Sequence, residues 1–276
     1  MKPAASATFC LTIQYDGSRY HGWQRQGPKQ GAAGTKTVAG AIDRALHLAG
    51  IKILNLTGAG RTDSGVHALG QVASLHLARP IKASELHMIL EQGLPYDIAA
   101  TRIEPCLQDF DARRDALSRT YLYQVALQKC AFTKNFAWWP KRPLDLALLE
   151  EAWALFEGNH SMAAFADLEE SEDPRCQIHK CQSRLHGSVF LLRVTARFFH
   201  RKQVRRMVGA AIRCSLDAIG KSKIGQIRKD LRAPSPQSKA FWAEATAPSA
   251  GLFLEYVSYP GHKEDQGILP ALFPPI

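Results

Sequence analysis

Two periodicities take turns along this chain, and their alternation constrains the fold more than any single motif does. Phe9, Leu11, Ile13 and Tyr15 alternate with Thr8, Cys10, Thr12 and Gln14, the period of a strand with one buried face. Asp16-Gly17 then turns the chain into a Gly-rich stretch, Gly27 to Lys36. Thr37 caps a predicted helix whose apolar face is Val38, Ala41, Ile42, Ala45 and Leu46, and Gly50 stops it. Residues 52–57 and 71–77 read as strands, and residues 84–92 as a helix ended by Gly93 and Pro95. The second half repeats the mixture, with strands over 120–126 and 189–196, helices over 144–158 and 204–220, and loops around 134–144 and 169–175. Strands mixed with helices in both halves predict an α+β fold, its sheets covered by helices on one face. A division near Asp109 separates the expected halves, 1–109 and 110–276.

With 276 residues, 46% of them hydrophobic, the chain can bury a sizeable core as one large domain or two packed halves. Its formal net charge of +10 says little about fold and much about partners. Such an excess favours polyanions, nucleic acid first, through counterion release. No uninterrupted apolar run is long enough to span a bilayer. The first residues alternate instead of building the apolar core of a signal peptide. Six scattered cysteines on a chain of this size fit free thiols, so a cytoplasmic location is expected.

Against this background Gly58 to Val72, GAGRTDSGVHALGQV, poses a question. A turn explains Gly and Asp together; so does a loop whose glycines clear space for a substrate that meets Asp63. Residues 197–211, RFFHRKQVRRMVGAA, place Val204, Met207, Val208 and Ala211 on one helix face. Arg201 with Arg205, and Lys202 with Arg206, stack one turn apart, where like charges oppose. A solvated basic face, phosphate contact, or one Arg turned inward to a carboxylate would each relieve them. FDARRDALSRTYLYQV, from Phe110, interleaves Arg113 and Arg119 with Tyr121 and Tyr123, as stacking and backbone contact on RNA require, although tyrosines on one strand face also serve as core. A short loop likewise crowds Tyr20, His21, Trp23, Gln24 and Arg25. Cys176, His179, Cys181 and His186 are potential zinc ligands at a spacing that matches no standard knuckle. Phosphate-loop, HExxH and nucleophile-elbow signatures are missing from the sequence.

Together these segments closely resemble the bacterial tRNA pseudouridine synthase A family, nearly end to end. YDGSRYHGWQRQ is similar to its opening motif, TVAGAIDRAL to its first helix, GRTDSGVHALGQV to its catalytic motif and GLFLEYVSYP to its closing strand. The resemblance implies two similar α+β halves, with antiparallel sheets flanked by helices around a central basic cleft. It implies that Asp63 is the essential aspartate, that Tyr121 stacks on the flipped uracil, and that Arg205 orients and charge-balances Asp63. Arg61, Thr62, His67, Tyr20, His21, Trp23, Gln24, Arg25, Arg113, Arg119, Arg201, Lys202 and Arg206 are then expected on the RNA. The implied reaction isomerises uridine to pseudouridine at positions 38, 39 and 40 of the tRNA anticodon stem-loop, with no cofactor and no metal, in a homodimer away from membranes. Departures include Ala59, Ser64, Asp111 in place of histidine, and Ser161-Met162 after His160; they spare Asp63, Tyr121 and Arg205. Two rivals are a non-catalytic RNA-binding protein, which has no use for Asp63 among glycines, and a zinc-dependent nucleic-acid enzyme. A synthase acting on other RNA positions is a third alternative.

Overall fold

The computed structural model describes residues 7–24, 36–216, 220–261 and 267–271. Arg25 and the Gly-rich stretch before Lys36 lie outside them. In chain order the first elements are β1 (Ala7–Tyr15), α1 (Val38–Leu48), β2 (Ile53–Gly58), β3 (His67–Leu77), α2 (Ala83–Gly93) and β4 (Ile98–Pro105). There follow β5 (Ser118–Ala126), α3 (Leu146–Ala154), β6 (Gly158–Ser161), β7 (Arg175–His186) and β8 (Val189–Ala196). The chain closes through α4 (Gln203–Leu216), α5 (Gly220–Arg232), α6 (Pro236–Glu244) and β9 (Leu252–Ser258). It packs as two compact units, Met1–Leu117 with Leu254–His262, and Ser118–Phe253 with Lys263–Ile276.

In the first unit β1 lies between β3 and β4, antiparallel to both, in a register that sets Leu11 opposite Ala73 and Phe9 opposite Leu75. β2 pairs antiparallel with residues 73–77 of β3, and β9 is the other neighbour of that strand. The predicted cap of α1 forms, with Thr37 Oγ1 accepting from the Gly40 N–H at 3.2 Å. Val38, Ile42, Ala45 and Leu46 of α1 are buried, as are Leu86 and Leu90 of α2. Each large aliphatic side chain removed from water in this way contributes about 2 kcal/mol.

In the second unit the order is β5-β8-β7-β6, every neighbouring pair antiparallel. Four helices supply the rest of its core. Trp153, Phe156, Phe165 and Trp242 run through it with ring centroids 5.1–6.1 Å apart. Asp230 is fully buried on α5 and is satisfied by donors only: Trp242 Nε1 at 2.7 Å, Ser238 Oγ at 2.6 Å and Gln226 Nε2 at 2.9 Å. Those bonds fasten α6 to α5.

Two helices, α5 and α6, were not foreseen. Within the stretch read as a helix over 204–220, α4 covers the residues up to Leu216, residues 217–219 lie outside the described residues, and α5 and α6 follow. α5 carries a short apolar stripe, Ile224, Ile227 and Leu231 at i, i+3 and i+7, which the sequence reading passed over, and α6 has no comparable stripe. The units part at Leu117, and the closing strand returns to the first of them, a long-range pairing that local periodicity cannot report.

Candidate active site

Residues 59–66 connect β2 to β3 and carry Asp63. Two sets of hydrogen bonds hold them. On one side Ala59 N–H donates to the Val72 carbonyl at 2.7 Å. Gln71, fully buried on β3, clamps Gly60 with its amide: Gly60 N–H donates to Oε1 at 3.3 Å, and Nε2 donates to the Gly60 carbonyl at 2.7 Å. On the other side comes the segment after β1. Trp23 N–H donates to the Thr62 carbonyl at 3.2 Å, while the Tyr20 carbonyl accepts from Gly65 N–H at 3.2 Å and Ser64 Oγ at 3.3 Å. Tyr15 and Thr62 share a hydroxyl hydrogen bond of 2.8 Å.

The approach is so close that glycine is required at position 22. Its φ is +89°, and a Cβ there would sit 2.3 Å from the Thr62 carbonyl oxygen. The turn itself closes with Val66 N–H donating to the Asp63 carbonyl at 3.2 Å, around Gly65 at φ +75°. Asp63 thus stands half-buried on a loop whose backbone is fixed from both sides. A carboxylate so presented can serve as nucleophile or as base.

This bracing engages several of the residues expected on the RNA. Tyr20, Trp23, Thr62 and His67 are buried around the loop; the side-chain polar groups of Tyr20, Thr62 and His67 are hydrogen-bonded there, whereas Trp23 Nε1 is buried with no hydrogen-bond partner among the described residues. The Tyr20 hydroxyl donates to Asp97, and burial followed by that bond pushes the phenol well above its ordinary pKa. Lys36 lies 4.4 Å over the Tyr20 ring. The indole of Trp23 covers Gly58, and His67 Nδ1 accepts from Gly17 N–H at 3.1 Å. Arg61, His21, Gln24 and Arg113 are exposed. Asp111, beside Arg113, caps its own turn by accepting from the N–H groups of Arg113 and Arg114, both at 2.8 Å.

In the second unit Tyr121 lies opposite Val194 on β5, 8% exposed, with the Phe199 ring edge-on at 5.2 Å. Arg119 is buried too, donating to the Arg197 carbonyl at 2.6 Å. The four cations at the start of α4 divide. Arg201 is exposed. Arg205 is half-buried and its Nε donates to the Ala247 carbonyl at 2.8 Å. Lys202 and Arg206 both turn to Asp167, Lys202 Nζ at 2.8 Å and Arg206 through Nη2, so these two are internal ion-pair partners. Burial alone would raise the Asp167 carboxyl, but the Lys202 bond and the Arg206 charge hold it below its ordinary value. The inward Arg that the sequence allowed is therefore Arg206.

Cys176, His179, Cys181 and His186 all lie on β7. At about 3.3 Å per residue an extended strand spreads its ends far beyond the reach of one tetrahedral ion. The Cys176 Sγ donates instead to the Phe198 carbonyl at 3.2 Å, and burial pushes the thiols of Cys176 and Cys181 up. Among the described residues no helix is long and apolar enough to cross a membrane. Sequence reasoning passed over Gln71, Asp97 and Asp167. Gln71 alone had a signal, as a polar residue facing inward on an otherwise apolar strand.

A braced, half-exposed carboxylate on a chain of net charge +10 is the equipment an enzyme acting on a polyanion would need. A family model described as tRNA pseudouridine synthase matches residues 11–114 and 152–260, stretches that contain Asp63 and Arg205 but not Tyr121. The tRNA pseudouridine synthase A of Beijerinckia indica is 35% identical over 264 residues, covering 94% of this chain and 96% of that one. That of Methylacidiphilum infernorum is 35% identical over 260 residues (92% and 96%), and that of Thermodesulfovibrio yellowstonii 31% over 262 (90% and 98%). The chain belongs to the tRNA pseudouridine synthase family.

Proposed function

We propose that this protein converts uridine to pseudouridine at positions 38, 39 and 40 of the tRNA anticodon stem-loop. The observation that carries the chemistry is the fixed loop presenting Asp63, within a chain that matches its relatives almost throughout. The reaction is an isomerisation. The bond from ribose C1′ to uracil N1 breaks, the base turns, C5 bonds to the same C1′, and the C5 proton is lost as N1 gains one. Nothing is consumed, so one carboxylate that attacks the nucleoside or removes a ribose proton is sufficient equipment.

In this reading Arg205 orients Asp63, and Tyr121 receives the uracil after it leaves the helical stack. The Ala247 carbonyl accepts from Nε of Arg205 at 2.8 Å, and a guanidinium carries several donors in a fixed fork suited to a carboxylate. Grip on tRNA comes from phosphate contacts by exposed cations, Arg61, Arg113 and Arg201 among them, with recognition resting on shape. The working form is a homodimer in the cytoplasm.

The test is site-resolved pseudouridine mapping on tRNA transcripts, with wild type and Asp63→Asn. Modification at 38–40 by wild type alone is the expected result. Turnover by a clean Asp63→Asn preparation would remove Asp63 from the reaction. Modification elsewhere would keep the chemistry and discard the positions, and no modification of any transcript would leave an RNA-binding protein.

A further inference from the structure

Helix α5 contributes to none of the motifs above, yet it is the most one-sidedly charged element of the chain. It carries Lys221, Lys223, Arg228, Lys229 and Arg232 and a single acid, Asp230. Asp230 is fully buried, its carboxylate oxygens taken by Trp242, Ser238 and Gln226, so it neutralises nothing at the surface. Lys221, Gly225, Arg228 and Arg232 recur at i, i+4, i+7 and i+11, one stripe of a helix, with Lys229 beside it; all five are exposed. Like charges so spaced oppose each other in the free protein. Arg228 reaches Glu151 at 3.2 Å across an exposed pair, which contributes little. Lys221, Lys229 and Arg232 have no acidic partner among the described residues.

Gly225 is the second observation. Glycine is a poor residue for an exposed helix interior, and the fold gives no reason for it, since a Cβ there would meet nothing within 4 Å. What the missing side chain does provide is a bare patch of helix backbone in the middle of a basic stripe. A bulky anionic chain can lie closer there than on any other residue.

We infer that this stripe of α5 is a docking surface for the sugar–phosphate backbone of the RNA, a grip supplementary to the cations named above. The inference rests on the proposed RNA substrate. An anionic membrane is the poorer occupant, because the exposed residues of α5 include no apolar side chain to insert into lipid.

The test measures the affinity of the full chain for an unmodified tRNA transcript as salt is varied. The variants are the triple Lys221→Gln, Lys229→Gln, Arg232→Gln and the single Gly225→Ala. The triple variant should bind about tenfold to a hundredfold more weakly near 0.1 M salt, with its log–log salt slope shallower by about 2–3, and should melt as wild type does. Gly225→Ala should melt no lower than wild type, because alanine is the better helix former, and still bind severalfold more weakly. Unchanged affinity and slope in the triple variant would overturn the inference. So would a loss confined to phosphatidylserine vesicles, with tRNA binding intact. Unchanged binding by Gly225→Ala would overturn the close approach at that residue. A wild type that binds tRNA with the α5-dependent slope but forms no pseudouridine would remove the catalytic reading while leaving this surface assigned.

Discussion

The Asp63 loop and the start of α4 are both short polar segments that sequence alone marks as functional, yet they are built in opposite ways. In the loop Asp63 is left half-buried and Arg61 exposed, and the neutral neighbours are spent on bracing. Thr62, Tyr20 and Trp23 go inside, and Gln71 clamps Gly60. In α4 the charges themselves are spent. Lys202 and Arg206 are committed to Asp167, Arg205 donates through Nε to the Ala247 carbonyl, and Arg201 alone of the four is exposed. A polar motif therefore does not present all its polar groups to a ligand. Most of them hold one or two others still, which is the general requirement for a preorganised site.

The sharpest way to break the loop's half of that comparison is Gly22→Ala. The substitution forces a side chain into φ +89° and against the backbone carbonyl of Thr62, an oxygen that cannot swing aside as a flexible side chain would. Left-handed backbone costs about 1–2 kcal/mol and overpacking about 1–3 more. A loss of about 3 kcal/mol in denaturant unfolding is expected, together with most of the pseudouridine-forming activity. Gly50→Ala is the control. Gly50 has a φ of +70° with nothing within 4 Å of an added Cβ, so strain acts there alone, and about 1 kcal/mol should be lost. Equal losses in the two variants would show that the loop is not held by this contact.

Asp167→Asn tests the other half, with a smaller effect. The amide keeps the shape and an acceptor but leaves buried Arg206 facing no charge. About 1–2 kcal/mol should be lost at pH 7. The sign of the pH dependence is set by the direction of the shift. The folded carboxyl lies below its ordinary value, so its contribution is complete above the unfolded carboxylate pKa, about 3.9, and fades as pH falls through the lower folded value. Wild type and variant should therefore converge in stability below about pH 4. A gap that does not narrow at all as pH falls below about 4 would mean that shape rather than charge makes the contact.

How much of this was legible depends on how far apart the partners lie in sequence. The strand β1, the helix α1 with its Thr37 cap, and the loop carrying Asp63 rest on neighbours and period, and all were readable. The inward turn of Arg206 was readable only as one of three options for the basic cluster, because the carboxylate it meets lies 39 residues away in a segment with no motif of its own. Trp23 misled for a related reason. In sequence it sits among polar residues, as a stacking platform would, but the glycine it covers, Gly58, belongs to another strand. Exposure is a property of the partner as much as of the residue.

The smallest expected effect separates the two fates of an arginine within one helical turn. Arg201→Gln removes an exposed cation, so unfolding should be unchanged while tRNA affinity falls a few-fold and the salt slope becomes shallower by about 0.7–0.9, one phosphate's worth. Arg206→Gln should do the reverse. It leaves Asp167 with Lys202 alone, so stability drops and the salt slope stays where it was. Sequence treats these residues as equivalent members of a basic cluster, and a mean-field account by net charge predicts identical slopes for the two variants. If the slopes are in fact identical, the ion pair with Asp167 opens on RNA binding, and Arg206 belongs on the RNA surface after all.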